Sequence, residues 1–346
     1  MNPPLILRAD ASPEIGVGHV MRCLALAQAW QDAGGEATFV HSEMPAMLAA
    51  RLERERCASV RLLASVGGSE DACLTARWAR RCGADWVVVD GYRFSATYYQ
   101  QLREHGLNVL AIDDLAHLDH YPVALLLNQN LSARAALYTD RVDAATPRLL
   151  GPRFSLLRRE FRRAVEVGRP AGARPRRVLV TFGGSDAENF TARILRNLFA
   201  SGHGDLEAIV LVGAANPHLD ALRELAAAAP FRCEIRVAVE DVAAVMAWAD
   251  VAISAAGSTV WELASLRRPA LIGAHEANQL AGLVALRGVP GFRIWTVEGM
   301  LARDLAAELA TLPTASGLDC DAHGAARVVA AMRALVAPTL AELSVA

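Results

Sequence analysis

Three glycine-bearing stretches hold the residues best suited to chemistry. The first is Arg8-Ala9-Asp10-Ala11-Ser12-Pro13-Glu14-Ile15-Gly16-Val17-Gly18-His19-Val20-Met21-Arg22, which follows an apolar run and opens a helical pattern. Gly16 and Gly18 permit tight backbone geometry and close approach of a ligand. The free N–H groups of a helix start attract anions. His19 stands at the mouth of that helix, where the dipole favours a neutral imidazole, the form that accepts a proton. The pattern fits a general base, or a histidine that only closes the turn. The second stretch, Thr181-Phe182-Gly183-Gly184-Ser185-Asp186, fits backbone contact with a ligand through Gly183 and Gly184, or a strand-to-helix turn capped by Ser185 or Asp186. The third is Ile253-Ser254-Ala255-Ala256-Gly257-Ser258-Thr259-Val260-Trp261-Glu262. Here Gly257, Ser258 and Thr259 can hold a diphosphate at a helix N-terminus. Glu262 can accept hydrogen bonds from ribose hydroxyls, or serve as favourable charge on a helix start. Asn278-Gln279 opens another helical pattern, as a cap or as a ligand contact.

Composition removes several chemistries. All 35 cationic residues are arginine, which excludes a Schiff-base lysine, a P-loop lysine and a kinase-type ATP lysine. The third glycine of the dinucleotide fingerprint is missing, since Arg22 lies near its place, and this disfavours a nicotinamide cofactor. No G-x-S-x-G elbow and no C-x-x-C pair occur. The six cysteines read as reduced thiols. Asp113-Asp114 resembles a metal-binding acidic pair but lacks a third oxygen partner, and His117 and His120 lack a third ligand, so no metal is expected. A net charge of −2 gives no basic field for nucleic acid. No apolar run reaches the ~18 residues of a membrane span, and the first ten residues lack a signal core. A cytoplasmic protein without stable membrane insertion is the expectation.

These loops must be carried by strands. Short apolar runs recur at Leu5–Arg8, Ala37–Val40, Val60–Leu63, Trp86–Asp90, Val109–Asp113 and Ala124–Asn128. A second series runs through Val178–Phe182, Ala208–Val212, Glu234–Val239, Val251–Ser254, Ala270–Gly273 and Arg293–Val297. Runs apolar on both faces suit buried parallel strands. Helical patterns lie between them, including Val20–Asp32, Ala187–Ser201 and Ser258–Leu266. The alternation implies an α/β chain of two Rossmann-like doubly wound domains facing across a cleft. Expected limits are 1–153 for the first domain, 154–175 for a Gly/Pro/Arg-rich connection and 176–346 for the second. The last helix, about His323–Leu335, can pack on either domain.

The motifs taken in order resemble a known family. They are R-A-D-A-S-x-x-I-G-x-G-H-x-x-R-C-L (Arg8–Leu24), V-D-x-Y (Val89–Tyr92), Asp113-Asp114 and L-L-N-x-N (Leu126–Asn130). L-x-R-x-E-F (Leu156–Phe161), G-G-S-D (Gly183–Asp186), I-S-A-A-G-S (Ile253–Ser258) and Asn278-Gln279 complete the series. Together they resemble the UDP-2,4-diacetamido-2,4,6-trideoxy-β-L-altropyranose hydrolases of pseudaminic acid biosynthesis, a GT-B-like family, across nearly the whole chain. The resemblance implies release of UDP and the free sugar, in a pathway that serves flagellin glycosylation. It places the catalytic histidine on His19 and nucleotide-sugar contacts on Arg158, Glu262 and Asn278. A nucleoside diphosphate leaves readily, so one base activating water at C1, with inversion, suffices without metal or cofactor. Gly18, Arg22 and Gln279 join the expected binding set. Asp10 and Tyr92 are secondary candidates, Asp10 to orient the first loop or Arg8 and Tyr92 to line the sugar pocket. A monomer suits two closing domains. The competing readings are a GT-B glycosyltransferase with a UDP-sugar donor, a non-catalytic nucleotide-sugar binding protein and an NAD-dependent enzyme.

Overall fold

The computed structural model describes residues 3–12, 14–167, 175–184, 186–202, 204–213, 216–274, 284–313 and 315–336. The chain divides into two compact units. One runs to Arg159 and resumes at His323; the other is Glu160–Ala322.

Among the described residues the first unit holds a parallel sheet of seven strands. They are β1 (Leu5–Ala9), β2 (Ala37–His41), β3 (Ala58–Arg61), β4 (Trp86–Asp90), β5 (Asn108–Ile112), β6 (Leu125–Asn128) and β7 (Arg148–Leu150). Their spatial order is β3-β2-β1-β4-β5-β6-β7. The chain winds outward from β1 in one direction, then restarts beside it at β4, so the order reverses between β1 and β4. Ligands of open parallel sheets bind at the carboxyl ends of the strands flanking such a reversal. The helices are α1 (Gly18–Asp32), α2 (Ala46–Arg54), α3 (Ser69–Cys82) and α4 (Ala96–Glu104); α5 (Arg159–Val167) begins at the unit boundary.

Strand periodicity sorts the side chains onto two faces. Leu5, Leu7, Trp86, Val88, Leu110, Ile112, Leu125 and Leu127 share a core with Val20, Cys23, Leu24 and Ala27 of α1. Ile6, Val87, Val89, Val109, Ala111 and Leu126 pack on the other face with Ala72 and Ala76 of α3 and Tyr98 and Leu102 of α4. The C-terminal helix, Gly324–Val336, adds Val328, Val329 and Met332 to the α1 face. Its first residue has to be glycine, because a Cβ on Gly324 would lie 2.3 Å from the Ser155 carbonyl oxygen.

Arg8 belongs to the face of Ile6 and is fully buried there. Its Nε and Nη2 donate to Asp71 of α3 at 2.9 and 2.7 Å, its Nη1 donates to Asp10 at 2.8 Å, and its guanidinium lies over the Phe94 ring. Breaking a buried pair from one side leaves the other charge uncompensated. Asp71→Asn is therefore expected to cost about 3–5 kcal/mol, read as a lowered urea midpoint for the transition of this unit.

The second unit repeats the winding with six parallel strands among the described residues. They are β8 (Arg177–Thr181), β9 (Glu207–Val212), β10 (Arg232–Val237), β11 (Val251–Ala255), β12 (Ala270–Ala274) and β13 (Phe292–Thr296), in the order β10-β9-β8-β11-β12-β13. Its reversal falls between β8 and β11. Helices α6 (Phe190–Ala200), α7 (Leu219–Ala227), α8 (Val242–Trp248), α9 (Thr259–Ser265), α10 (Val297–Leu301) and α11 (Leu305–Ala310) flank it. Val178, Val180, Val210 and Ile253 form its core with Ile194 and Leu198 of α6. No helix among the described residues is long and apolar enough to cross a membrane.

Candidate active site

In the first unit the reversal brings the start of α1 against the end of β4. Asp90 closes β4 on the face already set by Trp86 and Val88, the face that packs on α1. His19, Arg22 and Cys23 lie at helical spacing on the inner side of α1, so all three meet that carboxylate. His19 Nδ1 is 2.7 Å from Asp90 Oδ1. A carboxylate only accepts, so Nδ1 carries the proton and Nε2 is left with a lone pair. Among the described residues no protein group bonds Nε2.

Arg22 locks this arrangement. Its Nε and Nη2 donate to the two oxygens of Asp90, both at 2.6 Å. Its Nη1 and Nη2 donate to the two oxygens of Asp114 at 2.9 and 2.8 Å. Tyr92, half-exposed, donates its phenol hydrogen to Asp114 at 3.0 Å, and Asn130 donates to the same carboxylate at 2.8 Å. The Tyr92 ring meets the His19 ring edge-on, with centroids 5.0 Å apart.

Burial alone would raise Asp90, but the Arg22 guanidinium and then His19 outweigh it and hold the carboxyl well below the usual carboxylate range. Burial opposes ionisation of Asp114 too, and Arg22 again prevails, so its carboxyl is lowered. Burial would lower Arg22, whereas Asp114 and Asp90 raise it well above its ordinary value. Burial and the charge of Asp114 keep the Tyr92 phenol protonated. Burial, with Asp90 beside it, pushes the Cys23 thiol well up, which makes it a poor nucleophile.

The acidic pair at 113–114 does not act as a pair. Successive residues point to opposite sides, and Asp113 turns to the α3/α4 side. There it accepts from Tyr121 at 3.0 Å, from Tyr138 at 2.5 Å and from the Ala116 amide at 2.8 Å. Asp114 turns to Arg22. Among the described residues no cluster of three or more His, Cys, Asp or Glu is arranged to hold a metal ion.

Asp10 sits beside this cluster in the Arg8 network. Its Oδ1 accepts from the Ser42 and Glu43 amides at 2.6 and 3.1 Å and its Oδ2 from Arg8, tying the loop after β1 to the loop after β2. His41, at the end of β2, is buried with Nε2 on Ser59 and, among the described residues, Nδ1 without a partner. Burial is the main cause lowering its pKa from 6.5. The unfolded chain therefore takes up that proton more readily, and stability is lost as pH falls below about 6.5. His41→Gln is expected to flatten the dependence of the thermal midpoint between about pH 6.5 and 5.

Gly18 is the first residue of α1. Arg158 is buried just ahead of α5. In the second unit Gly183 and Gly184 follow β8, and Gly257, Ser258 and Thr259 follow β11, all at the carboxyl ends of the strands flanking the reversal. Gly183, Gly184, Gly257 and Ser258 are exposed. The N-cap of α6 is Asn189, whose side chain accepts from the Ala192 amide at 3.3 Å; Asp186, expected as the cap, lies three residues earlier and accepts from the Phe190 and Thr191 amides at 2.8 and 3.0 Å. Glu262 is buried in the first turn of α9. Gly213, which sequence reasoning passed over, admits the loop after β8, since a Cβ there would lie 2.0 Å from the Gly184 carbonyl oxygen. Ser185, Asn278 and Gln279 lie outside the described residues.

No protein-family model matches the chain. An uncharacterized protein of Methanocaldococcus jannaschii is 21% identical over 269 residues, 76% of this chain; the chain spans 54% of that protein's length. Solved structures align over 96% of the chain. They include MurG of Acinetobacter baumannii (TM-score 0.60, 15% identity, all of that chain) and the UDP-GlcNAc 2-epimerase of Methanocaldococcus jannaschii (0.61, 10%, 99%). A glycosyltransferase of kitacinnamycin aligns with a TM-score of 0.59 at 17% identity, over 95% of its chain. The chain has the GT-B fold. At these identities the likeness is one of fold.

Proposed function

We propose that the protein hydrolyses UDP-2,4-diacetamido-2,4,6-trideoxy-β-L-altropyranose to UDP and the free sugar, with inversion at C1. The observation that carries this reading is the His19–Asp90 contact at the topological reversal, which leaves Nε2 as a proton acceptor. The fold is shared with a UDP-GlcNAc 2-epimerase, and the ordered motifs resemble the hydrolases of this substrate.

His19 Nε2 takes a proton from water as the water oxygen bonds to C1. The C1–O bond to the β-phosphate breaks, and its electron pair leaves on UDP. Asp90 steadies the imidazolium as it forms. With one guanidinium between two carboxylates, the cluster carries one negative charge, which the imidazolium balances. UDP needs charge stabilisation more than a proton. The loops after β8 and β11, with Arg158, Glu262, Asn278 and Gln279, are assigned to the nucleotide. Both oxygens of Asp114 are engaged by Arg22, so this carboxylate is not available as a metal ligand.

The test is UDP release from that nucleotide sugar without acceptor and with EDTA, with the product anomer followed by proton NMR. Expected is full turnover in EDTA and an inverted first product. Release only after a sugar acceptor is added would make the protein a glycosyltransferase. Binding with no release under any condition would make it a nucleotide-sugar binding protein.

A further inference from the structure

The outward face of the cluster consists of two groups that have each handed a proton inward. His19 gives its Nδ1 hydrogen to Asp90, and Tyr92 gives its phenol hydrogen to Asp114. What each offers a ligand is a lone pair, on Nε2 and on the phenol oxygen. The two inner carboxylates are bridged by one side chain. Arg22 spends four of its five N–H groups on them in two bidentate contacts, and the ring contact at 5.0 Å holds the two outer groups together.

We infer that Arg22 and Asp114 are positioning residues that turn His19 and Tyr92 into a paired hydrogen-bond acceptor, and that Arg22 is not a diphosphate ligand. This rests on the reading of His19 as the base. Arg22 could reach a phosphate with full strength only by releasing a carboxylate that is buried and ionised. A lysine cannot replace it, because a point charge does not grip two planar carboxylates at once. Nε2 accepts from the attacking water. The Tyr92 oxygen accepts from a second donor on the substrate, a hydroxyl or an amide N–H within one sugar ring of the reacting carbon. Substrates bearing only acceptors on that side are rejected, since no phenol hydrogen is free to meet them.

Three variants test this: Arg22→Lys, Asp114→Asn and Tyr92→Phe. The first readout is the nitrogen-15 signature of the His19 ring, which reports the tautomer without any turnover. The second is calorimetry with UDP, and the third is the split between kcat and KM. In Arg22→Lys we expect a mixed tautomer in place of a fixed Nδ1–H, UDP affinity within about twofold, and kcat down about 10- to 100-fold from misplacement of the base. Tyr92→Phe and Asp114→Asn should each raise KM roughly 3- to 10-fold, the scale of one hydrogen bond, and the double variant should be no worse than either single one.

UDP binding weakened tenfold or more in Arg22→Lys, with the tautomer unchanged, would overturn the inference and make Arg22 a phosphate ligand. Additive effects of Tyr92→Phe and Asp114→Asn would overturn the role of Asp114. If wild type hydrolyses no UDP-sugar, the functional reading falls, and the tautomer comparison still decides whether Arg22 positions His19. If Arg22→Lys does not fold, Asp114→Asn, which keeps Arg22 on Asp90, carries the test through Tyr92.

Discussion

His19→Ala is expected to lower turnover of the UDP-sugar by about 10²–10⁴-fold, the usual worth of a general base, and to leave UDP affinity within about twofold. The loss is bounded on both sides. UDP departs without protonation, so removing the base slows attack by water and leaves the leaving group's energetics intact. In barrier terms the loss is roughly 3–5 kcal/mol. His19→Gln should be as slow as His19→Ala, because a carboxamide fills the space and hydrogen-bonds to Asp90 but takes no proton. Asp90 cannot stand in as the base. Its carboxyl is held well below the usual range, so it stays ionised and takes no proton in the neutral region. Initial rates of UDP release, with calorimetry for UDP, decide the matter. Full turnover by His19→Ala would end the assignment.

Much of the scaffold is legible from hydrophobic runs. The twelve expected strands overlap twelve of the thirteen described, most of them because they are apolar on both faces as a strand covered by helices must be; β3 and β10, at the sheet edges, are exposed or half-buried and show only a short apolar run. β7 was missed. Its three residues, Arg148–Leu150, are exposed or half-buried, so they carry no core signal. Among the described strands their pairing is with β6 alone, which sequence cannot announce. Of the expected site residues, the structure joins His19, Arg22 and Tyr92 in one cluster and sets Asp10 in the neighbouring Arg8 network.

The inner layer of the site was the illegible part. Asp90 stands within a motif of the sequence, yet nothing local says that it lies under His19, 71 residues away. The signal was present in two periods read together. Trp86, Val88 and Asp90 alternate onto one strand face, while His19, Arg22 and Cys23 share one helix stripe. Joining them requires knowing that β4 lies beside β1, a fact of sheet order. Asp113-Asp114 shows the converse. Adjacent carboxylates suggest one metal site, but just past the end of β5 they turn to opposite sides, with Asp113 among tyrosines and Asp114 on Arg22.

Asp90→Asn should be nearly as damaging as loss of His19 itself, with turnover down about 10³–10⁴-fold, by the logic that governs a buried aspartate behind a catalytic histidine. The carboxamide has the shape of the carboxylate, so the fold around it is kept. It can turn its NH₂ to Nδ1, which moves the ring proton to Nε2. A ring with Nε2–H donates where the reaction needs an acceptor. The carboxamide also no longer balances the imidazolium that forms in the transition state. Both effects act on kcat, and neither involves the nucleotide, so UDP affinity should hold. Asp90→Ala is a less clean probe, because it strips Arg22 of one of its two buried partners and should cost about 3–5 kcal/mol of stability. In Asn the oxygen still accepts from Arg22, and the thermal midpoint should drop less than in Ala. The deciding measurements are kcat at saturating substrate and the thermal midpoint of all three proteins. An Asn variant within threefold of wild-type turnover would show that Asp90 only packs beneath the ring, and that His19 holds its tautomer by other means.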